Sequence, residues 1–432
     1  MPWRRPRKRV EPPFRVGPSD EEMLERRADR DEEDEPPEPT EQPDPDAAPS
    51  DLEVKLRSAV SGMDLESASP PDVASGRPSR PRRPKDPAGG AAASYETGLP
   101  STSGGSADSS SLSPLSSSLA VAHPETGVDL EVEAARGLRL KNPVLTASGT
   151  FGQGTEYAEL FDVSRLGAIV NKGTTPSARP GNPQYRIAET PSGILNSIGL
   201  ENPGAEAVGK KYGKAWASLG VPVIVNVAGY TVDDYVFVVH ELEGTPGVVA
   251  YELNVSCPNV KGGTLFGCDP DLAAQVTRAV KAETGKPVIV KLTPNAPDVV
   301  AVALACEEAG ADGLTAINTV LGMRIDTAKR RPVLGTGSGG LSGPAVRPIA
   351  VHITYQVAQA VSIPVLGAGG VTCAEDALEF LMAGASAVQV GTATFADPLA
   401  PIGVLEGLAA YVRANGLASI RDVIGAALPD RA

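Results

Sequence analysis

From about Val128 onward, short β-branched runs alternate with longer stretches in which apolar residues recur at helical spacing. The runs are NPVLTASG (142–149), GAIVNKG (167–173), VPVIVNVAG (221–229), GVVAYELNVSC (247–257), KPVIVKLTP (286–294), DGLTAINT (312–319), IPVLGAGG (363–370) and SAVQVGTATF (386–395). Their apolar positions are nearly continuous, which predicts strands buried on both faces and therefore a parallel sheet. Between them, stretches such as DPDLAAQVTRAVKAETG (269–285), APDVVAVALACEEAG (296–310) and GPAVRPIAVHITYQVAQAV (343–361) read as amphipathic helices, with Gly or Pro at their ends. Eight strand–helix units predict an α/β fold, a (β/α)8 TIM barrel over residues 128–432, whose active site is built by residues at and beyond the strand C-termini.

The first 127 residues have a different texture. Trp3, Phe14 and Tyr95 are their only aromatic residues, and no apolar run there offsets the entropy of ordering, so they are expected to form a disordered low-complexity tail. It opens basic (WRRPRKR, 3–9), turns acidic without a cation in DEEDEPPEPTEQPDPD (31–46) and ends Ser-rich. No apolar segment follows the arginines, which argues against a secretory signal, and the acidity argues against a transit peptide. The uncharged apolar runs are too short to span a bilayer. A net charge of −14, from 39 basic and 53 acidic side chains, disfavours non-specific nucleic-acid binding. The expectation is a cytoplasmic protein that uses neither membrane nor nucleic acid.

Polar residues gather where a barrel needs them: Ser148 after the first strand, Lys172 after the second, Asn226 after the third, Asn254 and Cys257 on the fourth, Lys291 on the fifth, Asn318 and Thr319 on the sixth. After strands seven and eight, GAGGV (367–371) and QVGTATF (389–395) put glycines where backbone amides can approach a phosphate. LGTGSGGLSGP (334–344) reads as another Gly-rich loop able to close over the same ligand. The three histidines, at 123, 240 and 352, give little material for triads or a metal site, and none is predicted. The four cysteines, at 257, 268, 306 and 373, lack the spacing of a zinc or iron–sulphur site.

What remains is a phosphate-bearing cofactor, two lysines able to stabilise a flavin anion, asparagines able to read a planar imide, and one thiol. Cys257 can act as a thiolate base while hydride leaves for the flavin, or it can be a small buried hydrophobe. The adjoining Pro258 and Gly262–Gly263 favour an accessible loop.

ELNVSCPNVKGG, NKGTTPSARPGNPQYRIAETPSGILNSIGLENPG (171–204), AINTVLGM (316–323) and GAGGV together resemble the dihydroorotate dehydrogenases, FMN-containing barrels of pyrimidine biosynthesis, over roughly residues 128–425. The resemblance implies oxidation of dihydroorotate to orotate, with Cys257 taking the C5 proton while the C6 hydride passes to the flavin. It implies substrate contacts from Lys172, Asn196, Ser197, Ile198, Gly199, Leu200, Asn254, Asn318 and Thr319. For FMN it implies Ser148, Lys172, Gly173, Asn226, Asn254 and Lys291, then Ile317, Gly343, Gly369, Gly370, Gly391 and Thr392.

A cysteine base and a polar leader are similar to the soluble class 1 enzymes, not the quinone-linked class with its serine base. The wording KGTT-x-RPGNPQ and SCPNVKGG resembles the NAD-linked class 1B catalytic subunit. That type implies a separate electron-transfer subunit carrying FAD and a [2Fe–2S] cluster, two copies of each chain forming a heterotetramer. The fumarate-using homodimer of class 1A is the alternative within the family. Outside it, a non-redox phosphate-binding barrel lyase or isomerase and a silent scaffold stay open. Cys268 departs from the loop pattern, which leads one to expect a non-thiol residue there.

Overall fold

In the computed structural model, residues 127–255 and 265–429 are described. The expected tail, apart from Gly127, and the segment carrying Cys257 lie outside them.

Each of the eight apolar runs forms a strand. They are β1 (Val144–Thr146), β2 (Ile169–Val170), β3 (Val223–Val227), β4 (Val248–Asn254), β5 (Val288–Leu292), β6 (Gly313–Ala316), β7 (Val365–Ala368) and β8 (Ala387–Val390). Every neighbouring pair in this eight-stranded sheet is parallel. A parallel bridge between Leu145 and Ala168 joins β1 to β2, so the order closes on itself as a barrel. Burial on both faces explains the continuous apolar runs: all five residues of β3 and of β5 are buried. A fully buried Val or Leu contributes roughly 1.5–3 kcal/mol relative to an exposed one, and these strands supply such residues in every layer.

The expected helices form at α3 (Pro270–Glu283), α4 (Val299–Glu308) and α5 (Arg347–Ala360), alongside α1 (Ala205–Ser218), α2 (Val232–Leu242), α6 (Ala374–Met382) and α7 (Ala400–Ala414). Local chemistry fixes their starts. Asp269 accepts hydrogen bonds from the amides of Asp271 and Leu272 with Pro270 in the first turn, and Asp298 accepts one from Ala301. An antiparallel hairpin, Val132–Ala135 with Leu138–Leu140, packs on β6 to β8 and donates from Arg136 N to Asp312 O at 2.7 Å. It sits at the N-terminal end of the barrel, leaving the opposite end for chemistry.

One expectation is corrected. Within 334–344, read as a loop, Gly339–Ser342 is a strand of a four-stranded antiparallel sheet, in the order Val320–Gly322, Gly339–Ser342, Gly193–Asn196, Ile187–Thr190. The glycines serve close approach here: a Cβ on Gly340 would lie 2.0 Å from Thr319 Oγ1, and one on Gly339 would lie 2.4 Å from Asn196 O. A side chain at Gly339 would push this strand off its neighbour at Asn196, and one at Gly340 would push it off Thr319. Ala188, Leu195 and Leu334 give it a small core of its own.

Candidate active site

A cavity of about 480 Å³ opens at the C-terminal ends of the strands, a size suited to a mononucleotide with a small substrate. Its floor is made of side chains that alternate inward along the strands. Asn226 on β3, Lys291 on β5 and Gln389 on β8 are buried and line it. Beneath them lies the fully buried Glu252 of β4. Its Oε1 accepts from Asn226 Nδ2 at 2.8 Å and Lys291 Nζ at 3.4 Å, and its Oε2 from Thr315 Oγ1 at 2.8 Å and Gln389 Nε2 at 2.5 Å. Lys291 Nζ also donates to Gln389 Oε1 at 2.8 Å.

Asn226 is held from its backbone side as well, where its amide donates to Asn171 Oδ1 at 2.8 Å. With Nδ2 committed to Glu252, the Oδ1 of Asn226 is buried and has no hydrogen-bond partner among the described residues. A buried acceptor left unpaired is costly unless a ligand supplies the donor.

The side of the cavity toward β4 and β6 is a linked set of amides. Asn318 Nδ2 donates to Asn254 Oδ1 at 3.1 Å, and Thr319 N donates to Asn318 Oδ1 at 2.8 Å. The hydroxyl of Tyr235 donates to Asn254 O at 2.9 Å, and Asn295 Nδ2 donates to Thr319 O at 3.2 Å, so neighbouring elements fix both residues. Across from them Asn196 donates from Nδ2 to Gly340 O at 3.1 Å, and Ile198, Gly199 and Leu200 complete that wall. Leu200 has φ 56°, a left-handed conformation that costs a side-chain-bearing residue roughly 1–2 kcal/mol. Strain of this kind concentrates where a wall must keep a set shape. Lys172 lines the same region, and burial pulls its ammonium below the ordinary lysine range, partly offset by the charge of Glu201.

The far rim is made of backbone. Gly343, Gly369, Gly370, Gly391 and Thr392 line it, with Ser148 and Gly173 nearby and Ile317 on the wall. Gly369 and Gly370 have φ 133° and 82°, conformations that L side chains rarely adopt, and a Cβ on Gly370 would lie 2.8 Å from Gly343 O. Thr392 Oγ1 donates to Ser342 Oγ at 2.8 Å, linking the loop after β8 to the antiparallel sheet.

The expected site residues therefore converge on one cavity, with two exceptions. Ser197 does not line it: its buried hydroxyl bonds to Thr336 Oγ1 at 2.6 Å and accepts from Asn182 Nδ2 at 2.9 Å, bracing the segment behind the wall. Cys257 lies outside the described residues; Asn254, three positions earlier, lines the cavity. Glu252, Thr315, Gln389 and Asn171 escaped the sequence reading. The signal for Glu252 was alternation, since it lies two residues before Asn254 on the same strand face. Cys268 is half-buried and burial raises its thiol's pKa, which lowers its thiolate reactivity. Among the described residues, no helix is long and apolar enough to cross a membrane.

A family model described as dihydroorotate dehydrogenase matches residues 130–412. The dihydroorotate dehydrogenase B (NAD(+)) catalytic subunit of Geotalea uraniireducens (strain Rf4) is 50% identical over 299 residues, which is 69% of this chain and 98% of that protein. The protein of the same name from Geobacillus kaustophilus (strain HTA426) is 54% identical over 290 residues, 67% of this chain and 93% of its own length. That from Bacillus caldolyticus is 53% identical over 290 residues, with the same shares.

Proposed function

The chain belongs to the dihydroorotate dehydrogenase family, and from that premise we propose that it is the catalytic subunit of an NAD-linked, class 1B enzyme that oxidises dihydroorotate to orotate with FMN in cytoplasmic pyrimidine biosynthesis. The observation that carries the reading is the unpartnered Oδ1 of Asn226, buried in the floor of a cavity that otherwise offers lysines, amides and a glycine rim. These residues suit FMN. The rim of Gly343, Gly369, Gly370, Gly391 and Thr392 would hold the phosphate, while Ser148, Gly173, Ile317, Asn226 and Lys291 would hold the ring, whose edge carries both donors and acceptors. Bound FMN supplies a two-electron acceptor for hydride.

The chain does the rest. Asn196, Asn254, Asn318 and Thr319 hold the imide edge of dihydroorotate, and Ile198, Gly199 and Leu200 shape its wall. Lys172 offers an ammonium to the substrate carboxylate, an interaction strengthened by the burial that depresses its pKa. The Cys257 thiolate would take the C5 proton and end as the thiol, while C6 gives up a hydride, for which FMN would be the acceptor, and the C5–C6 bond becomes double. The electrons pass to NAD through a partner subunit with FAD and a [2Fe–2S] cluster, two of each subunit forming the complex. The described cysteines fit such a division of labour, since Cys306 is buried in α4 with a pKa pushed up to about 12, while Cys268 and Cys373 lie on other elements.

The test is direct. Purified alone, the chain should be yellow, release FMN on denaturation, and bleach when dihydroorotate is added anaerobically. Its colour should return with NAD only when the FAD and iron–sulphur subunit is added. A colourless protein overturns the flavin assignment, and reoxidation by fumarate without a partner overturns the NAD assignment.

A further inference from the structure

Glu252 is a feature of the floor that neither the proposed chemistry nor packing requires. It does not line the cavity, so it touches no ligand there. As filler it is a poor choice, because burying a carboxylate loses its hydration and a leucine would occupy the space without that loss. Yet it is fully buried, and its four hydrogen bonds among the described residues, from Asn226, Lys291, Thr315 and Gln389, all have the partner donating. Four incoming donors match an ionised carboxylate, which only accepts; a protonated acid would set its own O–H against one of them.

Two consequences follow from this geometry. By engaging Asn226 Nδ2, Glu252 decides which end of that amide faces the cavity and makes it an acceptor. By standing 3.4 Å from Lys291 Nζ, it also places a negative charge behind the cation of the floor. The pair is dry, with side-chain exposures of 7% for Lys291 and 0% for Glu252, so water does little to screen it.

We propose that Glu252 is a positioning residue for the flavin: it orients Asn226 and Lys291 in the cavity floor, and its charge lowers the reduction potential of bound FMN by opposing the anionic reduced form. The inference rests on the FMN reading above. A lower potential suits a subunit whose electrons must continue to NAD, because a strongly oxidising flavin would hold them.

The test compares oxidised and reduced FMN binding, through the potential of the bound flavin, in the parent and in Glu252→Gln and Glu252→Asp. Glu252→Gln should stay yellow and favour reduced over oxidised FMN by about tenfold more than the parent, which is about +30 mV for a two-electron couple. Glu252→Asp keeps the charge while drawing it away from Asn226 Nδ2, so it should bind FMN more weakly with a ratio within about threefold of the parent. If Glu252→Gln does not fold, Thr315→Val carries the test. It removes one donor to the carboxylate outside the cavity wall, leaves the charge less compensated, and should move the potential downward. Equal potentials in parent and Glu252→Gln, or an unchanged or raised potential in Thr315→Val, overturn the inference and leave the FMN reading standing. A parent that binds no FMN overturns both.

Discussion

The two ends of the cavity are built from opposite materials. Its rim, after β7 and β8, is backbone: Gly369 and Gly370 hold positive φ, and Gly391 carries no side chain toward the space. Its floor, across β3 to β6 and β8, is side chain: Asn226, Lys291 and Gln389, tied together through Glu252. Backbone amides grip an anion in a way that does not depend on which residue supplies them, and glycine lets them come close. Side chains instead set charge and donor pattern one atom at a time, as redox chemistry on a planar ring demands. The rim should therefore fail by steric filling and tolerate loss of its hydroxyls. The floor and substrate wall should fail by loss of single functional groups.

The largest effect is expected at Gly391. Its φ is not in the left-handed region, and a Cβ there would lie 3.1 Å from Ala147 Cβ, a tight contact that a shift of a few tenths of an ångström relieves, at a position that lines the cavity. Gly391→Val should give a folded, colourless protein, checked by circular dichroism and by FMN released per chain. Parental FMN content would mean that the phosphate lies elsewhere. Gly370 is a poorer probe, because its φ of 82° and the nearby Arg347 Cβ, 2.8 Å from a built Cβ, would confuse lost binding with a distorted loop.

Next comes the thiol. Cys257→Ala should keep FMN and still bind orotate, because the contacts proposed for both lie on other residues. Its rate of flavin bleaching by dihydroorotate in anaerobic stopped flow should fall by about 10²- to 10⁴-fold, the usual worth of a placed base. In the parent the same rate should climb with pH until the thiolate is formed. A variant as fast as the parent would make the thiol packing.

Lys172 sharpens the comparison on the substrate side. Burial lowers its pKa, so the ammonium loses its proton at a lower pH than a surface lysine would. Orotate is an anion and needs the charged form; its affinity should be full below that pKa and fall as pH rises through it. Bound orotate in turn should raise the lysine's pKa. Lys172→Met should weaken orotate about 10- to 100-fold, the range of a hydrogen bond to a charged group, and should abolish the alkaline fall. Calorimetric titration across pH reads both. An identical alkaline fall in the variant would assign it to another group.

These residues also mark where the sequence could be read. The barrel strands were legible because double-sided burial writes itself as continuous apolar runs, as in VIVNV of β3 and VIVKL of β5. Lys172, Asn226, Lys291 and Asn254 were legible because polar residues at the ends of such runs have one place to go in a barrel. The antiparallel sheet was not: GGLS (339–342) carries neither alternation nor β-branching, and it is a strand through its antiparallel pairing with Val320–Gly322 and Gly193–Asn196, with glycines where Asn196 and Thr319 leave no room for a Cβ. Glu252 was hidden for a different reason. Within one sequence a lone carboxylate inside a strand gives no hint of its four donors, which come from β3, β5, β6 and β8 and meet only when the barrel closes. Ser197 shows the converse, since its neighbours Asn196 and Ile198 face the cavity and alternation turns it to the other side.

The smallest expected effect is at Thr392, the rim residue whose side chain is best placed to matter. Its hydroxyl donates to Ser342 Oγ at 2.8 Å, and Thr392→Val removes that bond while keeping the shape. A neutral hydrogen bond at a partly exposed site contributes about 0.5–1.5 kcal/mol net, so FMN affinity should fall only about 2- to 12-fold. The loop after β8 should hold its position through its backbone, since Thr394 N still donates to Gly391 O at 3.0 Å and Phe395 N to Thr392 O at 3.1 Å. Titrating FMN into the apoprotein and following the change in flavin fluorescence gives the affinity, with Asn226→Leu as the floor counterpart. Asn226→Leu loses the unpaired buried acceptor of the cavity floor and should cost more than Thr392→Val. A loss in Thr392→Val equal to that of Asn226→Leu would show that the rim, too, binds through its side chains.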